Sequence, residues 1–426
     1  MLQQLEVAAA GADAPLRFAL SSVVGGSLQH LWIKANTLTR PQLEAIGSIQ
    51  GLVSLKITYA FELSGRSNDS RVHALHLQHL SGLKALGRLS IDAYFDEPEA
   101  GLPVELTALP SLTSLEVMNK AGQRLALSTR LLRGLCRLRC LHLGCARLGL
   151  SGEDAQDAWQ DLEELLLVDT IVEDAAIAAL PWLSHLTALH VIEGILYHKP
   201  AVLDSIAACP ALKRLALESF EASRLPILAP SQLASLSSLS LVKVDALEHL
   251  PASWCLPSLQ ELTLKVCPSL VRSPDAWPSE MSRMTRLHTL RLEVLQLLEL
   301  PAPVCGLASL TCLGLVGNQL QTLPEGPYLS NLHRLSLSWN RLPRIPLALA
   351  LASRLEELDL TSNTGLSLRP TGLQVLQGLS KLKRLNLYAL LPSPEEGAVP
   401  LPGLSGEEVA LALPHVHVEL SRYWGY

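Results

Sequence analysis

Apolar residues recur along this chain in a fixed internal rhythm. It is clearest at Leu310, Leu313 and Leu315, then at Leu332, Leu335 and Leu337, then at Leu355, Leu358 and Leu360. The phrase restarts after 22 and then 23 residues. Two leucines flanking a single residue alternate with polar neighbours, as a short strand with one buried face requires. The ninth place holds Asn318, Asn340 and Asn363. An asparagine amide can bond backbone groups of the turn where strand ends and chain bends away. Leu323-Pro324 and Ile345-Pro346 follow, and neither pair can continue a strand or helix. One such unit cannot bury its leucines alone, so each must stack on the next.

Traced outward, the phrase starts first at Leu2 and last, in degenerate form, at Leu413, giving about 17 coils over the 426 residues. We therefore expect an α/β fold: a single solenoid over 1–426 bent as a horseshoe, its strands forming a concave parallel β-sheet. The backs of the coils change along the chain. Asp174–Leu183 and Pro200–Cys209 carry helical spacing and start signals, which puts helices on the convex side of the first half. Beyond Leu287 the backs become Pro-rich, predicting turns, 3₁₀ and extended segments in the second half. A loop insertion over 61–74 and a Pro- and Gly-rich loop over 391–403 break the period, and 404–426 reads as a C-terminal capping segment. The first phrase has no equivalent cap, and the expectation is that the chain continues a longer protein or meets a partner there.

Bulk composition narrows the possible partners. The formal net charge is −6, and no run of five basic residues occurs, so nucleic acid is not expected. No apolar run approaches the roughly 18 to 20 residues that span a bilayer, and Met1–Val7 lacks a secretory pattern. Eight cysteines lie scattered without a CxxC pair, as small core residues of a reducing compartment would. These observations predict a cytoplasmic protein without a membrane span.

No catalytic constellation emerges: a Walker loop, GxSxG, HExxH and the dinucleotide fingerprint are all missing. Cys140 with His142, His76 with His79, and His415 with His417 each make a pair without a third ligand, so neither metal nor cofactor is expected. Carboxylate pairs such as Glu163-Glu164 read as solvated.

The informative surface is the outward face of the sheet. The fifth and seventh places of each phrase point away from the leucine core. Met118, Leu166, Val168 and Ile192 make these places apolar across four successive coils, with Asp92, Glu116 and Glu218 at the margins. An apolar centre with a polar rim suits a protein partner. Trp32, and Trp339 with Tyr388 toward the other end, are further candidate contacts.

The phrase LxxLxLxxN resembles that of the leucine-rich-repeat superfamily, and the resemblance covers nearly the whole chain. Leu256–Leu270, with its Cys267-Pro268 pair, is similar to irregular repeats of plant nucleotide-binding immune receptors, whereas 310–366 is similar to plain intracellular repeats of Ras-associated scaffolds. Stand-alone algal proteins, some of them axoneme-associated, share its alanine-rich style. The resemblance implies a non-enzymatic scaffold that binds a protein on its concave face, its oligomeric state left open. The alternatives are the ligand-sensing domain of an immune-type receptor, or a regulatory part of a larger enzyme, separated from an N-terminal domain.

Overall fold

The computed structural model describes residues 3–9, 28–35, 38–58, 72–96, 98–120, 123–148, 159–172, 180–193, 200–219, 225–229, 231–271, 276–387 and 406–419. Seventeen described strands follow the leucine phrase, all of them parallel members of the repeat. The chain divides into two compact units, Met1–Leu215 and Ala216–Tyr426.

In the first unit, the strands Gln4–Ala9, His30–Ala35, Ser54–Thr58, Arg88–Ala93, Ser114–Asn119, Cys140–Gly144, Glu164–Val168 and Ala188–Ile192 pair each with the next. Their register sets leucine against leucine: Leu115, Leu141, Leu165 and Leu189 stand in one row, each no more than 2% exposed. Pairing begins one residue before each strand. The Thr113 carbonyl, for example, accepts the N–H groups of both Arg139 and Cys140 of the next coil. The same fork recurs at Arg139 and Glu163.

The second unit repeats this arrangement through Ser238–Val242, Glu261–Lys265, Thr289–Glu293, Cys312–Gly314, Arg334–Ser336, Glu357–Asp359, Arg384–Asn386 and His417–Glu419. The ninth-place asparagines act as the sequence leads one to expect. Asn340 donates to the carbonyls of Leu315 at 2.8 Å and Leu337 at 3.0 Å and accepts the Leu320 N–H at 3.0 Å. Asn318 and Asn363 do the same one coil to either side, and all three are buried. A buried bend thus leaves few backbone groups unpaired.

The eighth place, just before that asparagine, is left-handed in coil after coil, whatever residue occupies it. Val266 and Val294 both have φ of 53°, Trp339 has 56° and Ser362 58°. A β-branched residue avoids this region on its own, so the coil stack imposes it. The Val294 N–H, for instance, must reach the Val316 carbonyl of the next coil at 2.8 Å.

The backs of the coils are less sharply divided between the halves than the sequence suggests. Helices Arg40–Gly47, Thr129–Gly134 and Pro200–Ala207 lie in the first unit, the last where it was expected. The second unit also contains helices: Ala302–Cys305 and Pro370–Gly378, because proline opens a helix as readily as it forms a turn, and Gly406–Ala412 within the expected capping segment, after the capping-box sequence Ser405-Gly-Glu-Glu408. Its other backs are 3₁₀ turns such as Leu347–Leu351. Of the helix expected over 174–183, residues 174–179 lie outside the described residues, and Leu180–Trp182 is a 3₁₀ turn. Ala74–Gly82 is a nine-residue 3₁₀ helix. Its buried Ala74, Leu77 and Leu80 recur every third residue, which suits three residues per turn better than 3.6.

Two local readings shift. Within the loop predicted over 61–74, Val72–His73 is a short strand paired with Phe95–Asp96, and 61–71 lies outside the described residues. At the other end, the register places Val418, not Val416, opposite Leu385, so the last strand comes two residues later than a count from Leu413 gives. The reason is the helix Gly406–Ala412: Leu413 is consumed in closing it, its N–H bonded to the Ala410 carbonyl.

Candidate functional site

The strand register of the first unit decides which outward side chains are neighbours. Asp92, Met118, Gly144, Val168 and Ile192 form one unbroken row across five strands. Ser90, Glu116, His142, Leu166 and His190 form the row beside it. Met118, Leu166, Val168 and Ile192 are therefore brought together, and each is half-buried within its own unit.

One residue of this surface was not singled out from sequence. Gly144 interrupts the apolar row only on paper, because a Cβ there would collide with the Met118 sulfur. The methionine lies over the glycine, and its flexible thioether spans the gap toward Val168. A glycine beside a methionine one coil earlier was the available signal.

The rim is polar and largely paired off. Asp92 meets Lys120 at 3.0 Å, Glu116 accepts the Ser90 hydroxyl at 2.8 Å, and His142 Nε2 lies 3.5 Å from Glu164. Salt bridges this exposed contribute little to stability and rearrange at low cost. Glu218, the other predicted margin, belongs to the second unit and pairs with Lys243 at 3.5 Å.

The remaining predicted contacts lie elsewhere. Trp32 is three strands from Met118, with the ammonium groups of Lys34 and Lys56 at 4.1 and 5.0 Å from its ring centre and its indole N–H donated to Thr58. That is a separate aromatic and basic cluster. Trp339 sits in the left-handed bend of its coil, 46% exposed, and not on the strand. Tyr388 lies outside the described residues.

The buried thiols are poor nucleophiles. Burial pushes Cys209 and Cys255 up to about 12 and Cys267 to about 11. Cys140 is also raised, by burial first and then by Glu164 and Glu163. A reactive cysteine needs the opposite shift. Among the described residues no three His, Cys, Asp or Glu side chains converge as metal ligands, and no helix is long and apolar enough to cross a membrane.

Comparison with known proteins agrees with this geometry. The family described as R13L1/DRL21 LRRs matches residues 179–267, a stretch that includes Ile192 and the coil of Cys267. No curated protein matches the sequence. Among solved structures, the chain is similar to an LRR protein of Leptospira interrogans, at 21% identity and a TM-score of 0.57, over 98% of this chain and 90% of that one. It is also similar to an internalin of Listeria monocytogenes, at 17% identity and a TM-score of 0.53, over 96% of each. At such identities the likeness is one of fold.

Proposed function

The chain is a leucine-rich-repeat protein, and from that premise we propose that it is a non-enzymatic scaffold that takes a protein partner on the outward face of its sheet. The observation that carries this reading is the row Met118, Gly144, Val168 and Ile192, joined by Leu166. A strand face that only met water would gain nothing from four apolar side chains placed together, whereas a partner can bury them at roughly 25 cal/mol per Å². Trp32 is a secondary contact in the same unit, and Trp339 with Tyr388 is the next place to look. No cofactor takes part. The setting is cytoplasmic, which agrees with eight free cysteines. No observation favours the immune-receptor or enzyme-regulatory alternatives.

The test is a double substitution, Val168→Lys with Ile192→Lys. Partner capture from the native cell, read by identifying the bound proteins, is expected to be lost, because binding would desolvate two unpaired ammonium groups. The thermal midpoint is expected to stay within about 2 °C, since both side chains already reach water. Ala208→Lys, an exposed position behind the sheet, is the control that should alter neither property. Unchanged capture by the double variant would reject the strip as the binding site.

A further inference from the structure

The second unit carries a different surface, independent of the apolar strip. Register places Arg291, Gly314, Ser336 and Asp359 side by side on four consecutive strands. Large side chains stand at the two ends of this row and small ones on the two strands between. The result is a groove of about 370 Å³ along the sheet face, lined from Arg291 past Asp359 to Glu419. Gly314 keeps the floor low: a Cβ there would already lie 3.3 Å from Arg291 Cγ and 3.4 Å from Glu293 Oε1.

The two walls carry opposite charges that the described residues leave uncompensated. Beside Arg291, Glu293 is already engaged with Lys265 at 3.5 Å, and on the other wall Glu357, two residues before Asp359, takes up Arg334 at 3.4 Å and Arg384 at 2.7 Å. Arg291 itself is exposed and makes no ion pair among the described residues. Across the groove, Asp359 accepts the Ser336 hydroxyl at 3.2 Å and the Thr361 N–H at 3.0 Å, which orient its carboxylate without bringing a cation to it. Arg291 and Asp359 are three strand spacings apart, about 14 Å.

We infer that this groove binds an extended segment of a partner protein bearing an acidic side chain and, four residues further along, a basic one. An extended chain advances about 3.3 Å per residue and returns to the same face every second residue, so such a pair is separated by about 13 Å on one side. The residue midway between them faces Gly314 and Ser336 and has to be small. A helix does not match the spacing, since it rises only about 1.5 Å per residue and would set an acid and a base four residues apart only about 6 Å from one another along its axis. The acid meets the Arg291 guanidinium and the base meets Asp359, where Glu419 adds to the negative end.

The experiment uses the full chain and a fluorescently labelled peptide of sequence Thr-Glu-Thr-Gly-Thr-Lys-Thr, read by anisotropy at low salt. This peptide should bind at least tenfold tighter than the same peptide with Lys replaced by Glu, or with the charges only two residues apart. Arg291→Glu should abolish that preference and favour a peptide carrying Lys at both places. Gly314→Leu, which fills the floor from the outward face, should weaken binding tenfold or more with the circular dichroism unchanged. If Gly314→Leu fails to fold, the exposed Arg291→Glu decides alone. Peptides that all bind within threefold of one another, or an Arg291→Glu protein that keeps the original preference, overturn the proposal. So does displacement of the peptide by an equal concentration of 6-aminohexanoate, which would show a site for a small free zwitterion instead.

Discussion

The coils around Met118 and those around Asn340 solve one problem in two ways. Where each strand ends, the chain must bend with its backbone groups buried, and those groups need partners. In 310–366 the partners are side chains: Asn318, Asn340 and Asn363 each supply two donors and an acceptor. In the two coils that follow Met118 the ninth place holds Ala146 and Thr170 instead, both fully buried, while in the Met118 coil itself the buried Asn119 amide accepts the Phe95 N–H and donates to the Gln123 carbonyl. Thr170 gives one hydroxyl, to the carbonyls of Leu143 at 3.2 Å and Val168 at 3.0 Å. The rest comes from a second backbone ladder, in which Leu125–Leu127, Ala146–Leu148 and Ile171–Val172 pair as parallel strands just past the bend. Cys267 in the second unit follows the hydroxyl pattern with a thiol, directed at the Leu241 and Lys265 carbonyls. A side-chain ladder concentrates its contribution in single residues, whereas a backbone ladder spreads it along the chain.

The largest expected difference comes from that contrast. Asn340→Leu leaves buried carbonyls of Leu315 and Leu337 and the Leu320 N–H without partners, at about 1 to 3 kcal/mol for each group that water cannot reach. A total loss of about 3 to 5 kcal/mol is expected. Thr170→Val, close to it in shape, should cost only about 1 kcal/mol, because the neighbouring strands keep the bend. Urea unfolding of the two variants, with hydrogen exchange to locate the loss, tests this. Equal costs would mean that the two regions are held in the same way.

Next in size is the strand phase within 310–366. Leu335 is 2% exposed while Ser336 faces the groove, its hydroxyl 3.2 Å from both Ser338 and Asp359. Leu335→Ala should cost about 2 to 5 kcal/mol through the cavity it opens, and Ser336→Ala less than about 0.5. Comparable losses from both would contradict the inward and outward assignment on which both proposed surfaces depend.

The same contrast explains what could be read from the sequence. The leucine phrase and the asparagine ladder were legible because each is a fixed residue type at a fixed place. The left-handed bend was not, since Cys145, Asp169, Lys243, Val266 and Trp339 all occupy it and only the neighbouring coil imposes its conformation. Nor was the second ladder, whose strands are two or three residues long. Of the apolar strip, the large residues were visible while the room made by Gly144 was not. The groove was hidden because it arises from small residues, Gly314 and Ser336, that become neighbours only through pairing of successive coils.

The smallest expected effect separates the two regions by acidity. On the back of the first unit His73, His76 and His79 follow one another at the three-residue period of a 3₁₀ helix, with His73 and His76 stacked at 4.6 Å between ring centroids. A ring nitrogen of each is buried without a hydrogen-bond partner. From the helix Arg40–Gly47, Glu44 approaches His79 Nε2 at 3.7 Å but is bound to Arg40 at 2.8 Å, and that hydrogen bond holds its carboxyl below the usual range. His76 is consequently harder to protonate than in the unfolded chain, through burial first and then through His73, His79 and Arg40. Its contribution to stability is complete above the unfolded value of about 6.5 and is lost as pH falls through the lower folded value. Acidification from neutral pH to about 5.5 should therefore lower the amide protection factors, taken relative to the intrinsic exchange rate at each pH, in 72–93 and leave those of 310–366 unchanged, since Asn318, Asn340 and Asn363 do not titrate. His76→Gln should flatten the pH dependence in 72–93. A loss of protection spread equally over both stretches, or an unaltered slope in the variant, would show that this cluster is not what makes the first unit sensitive to acid.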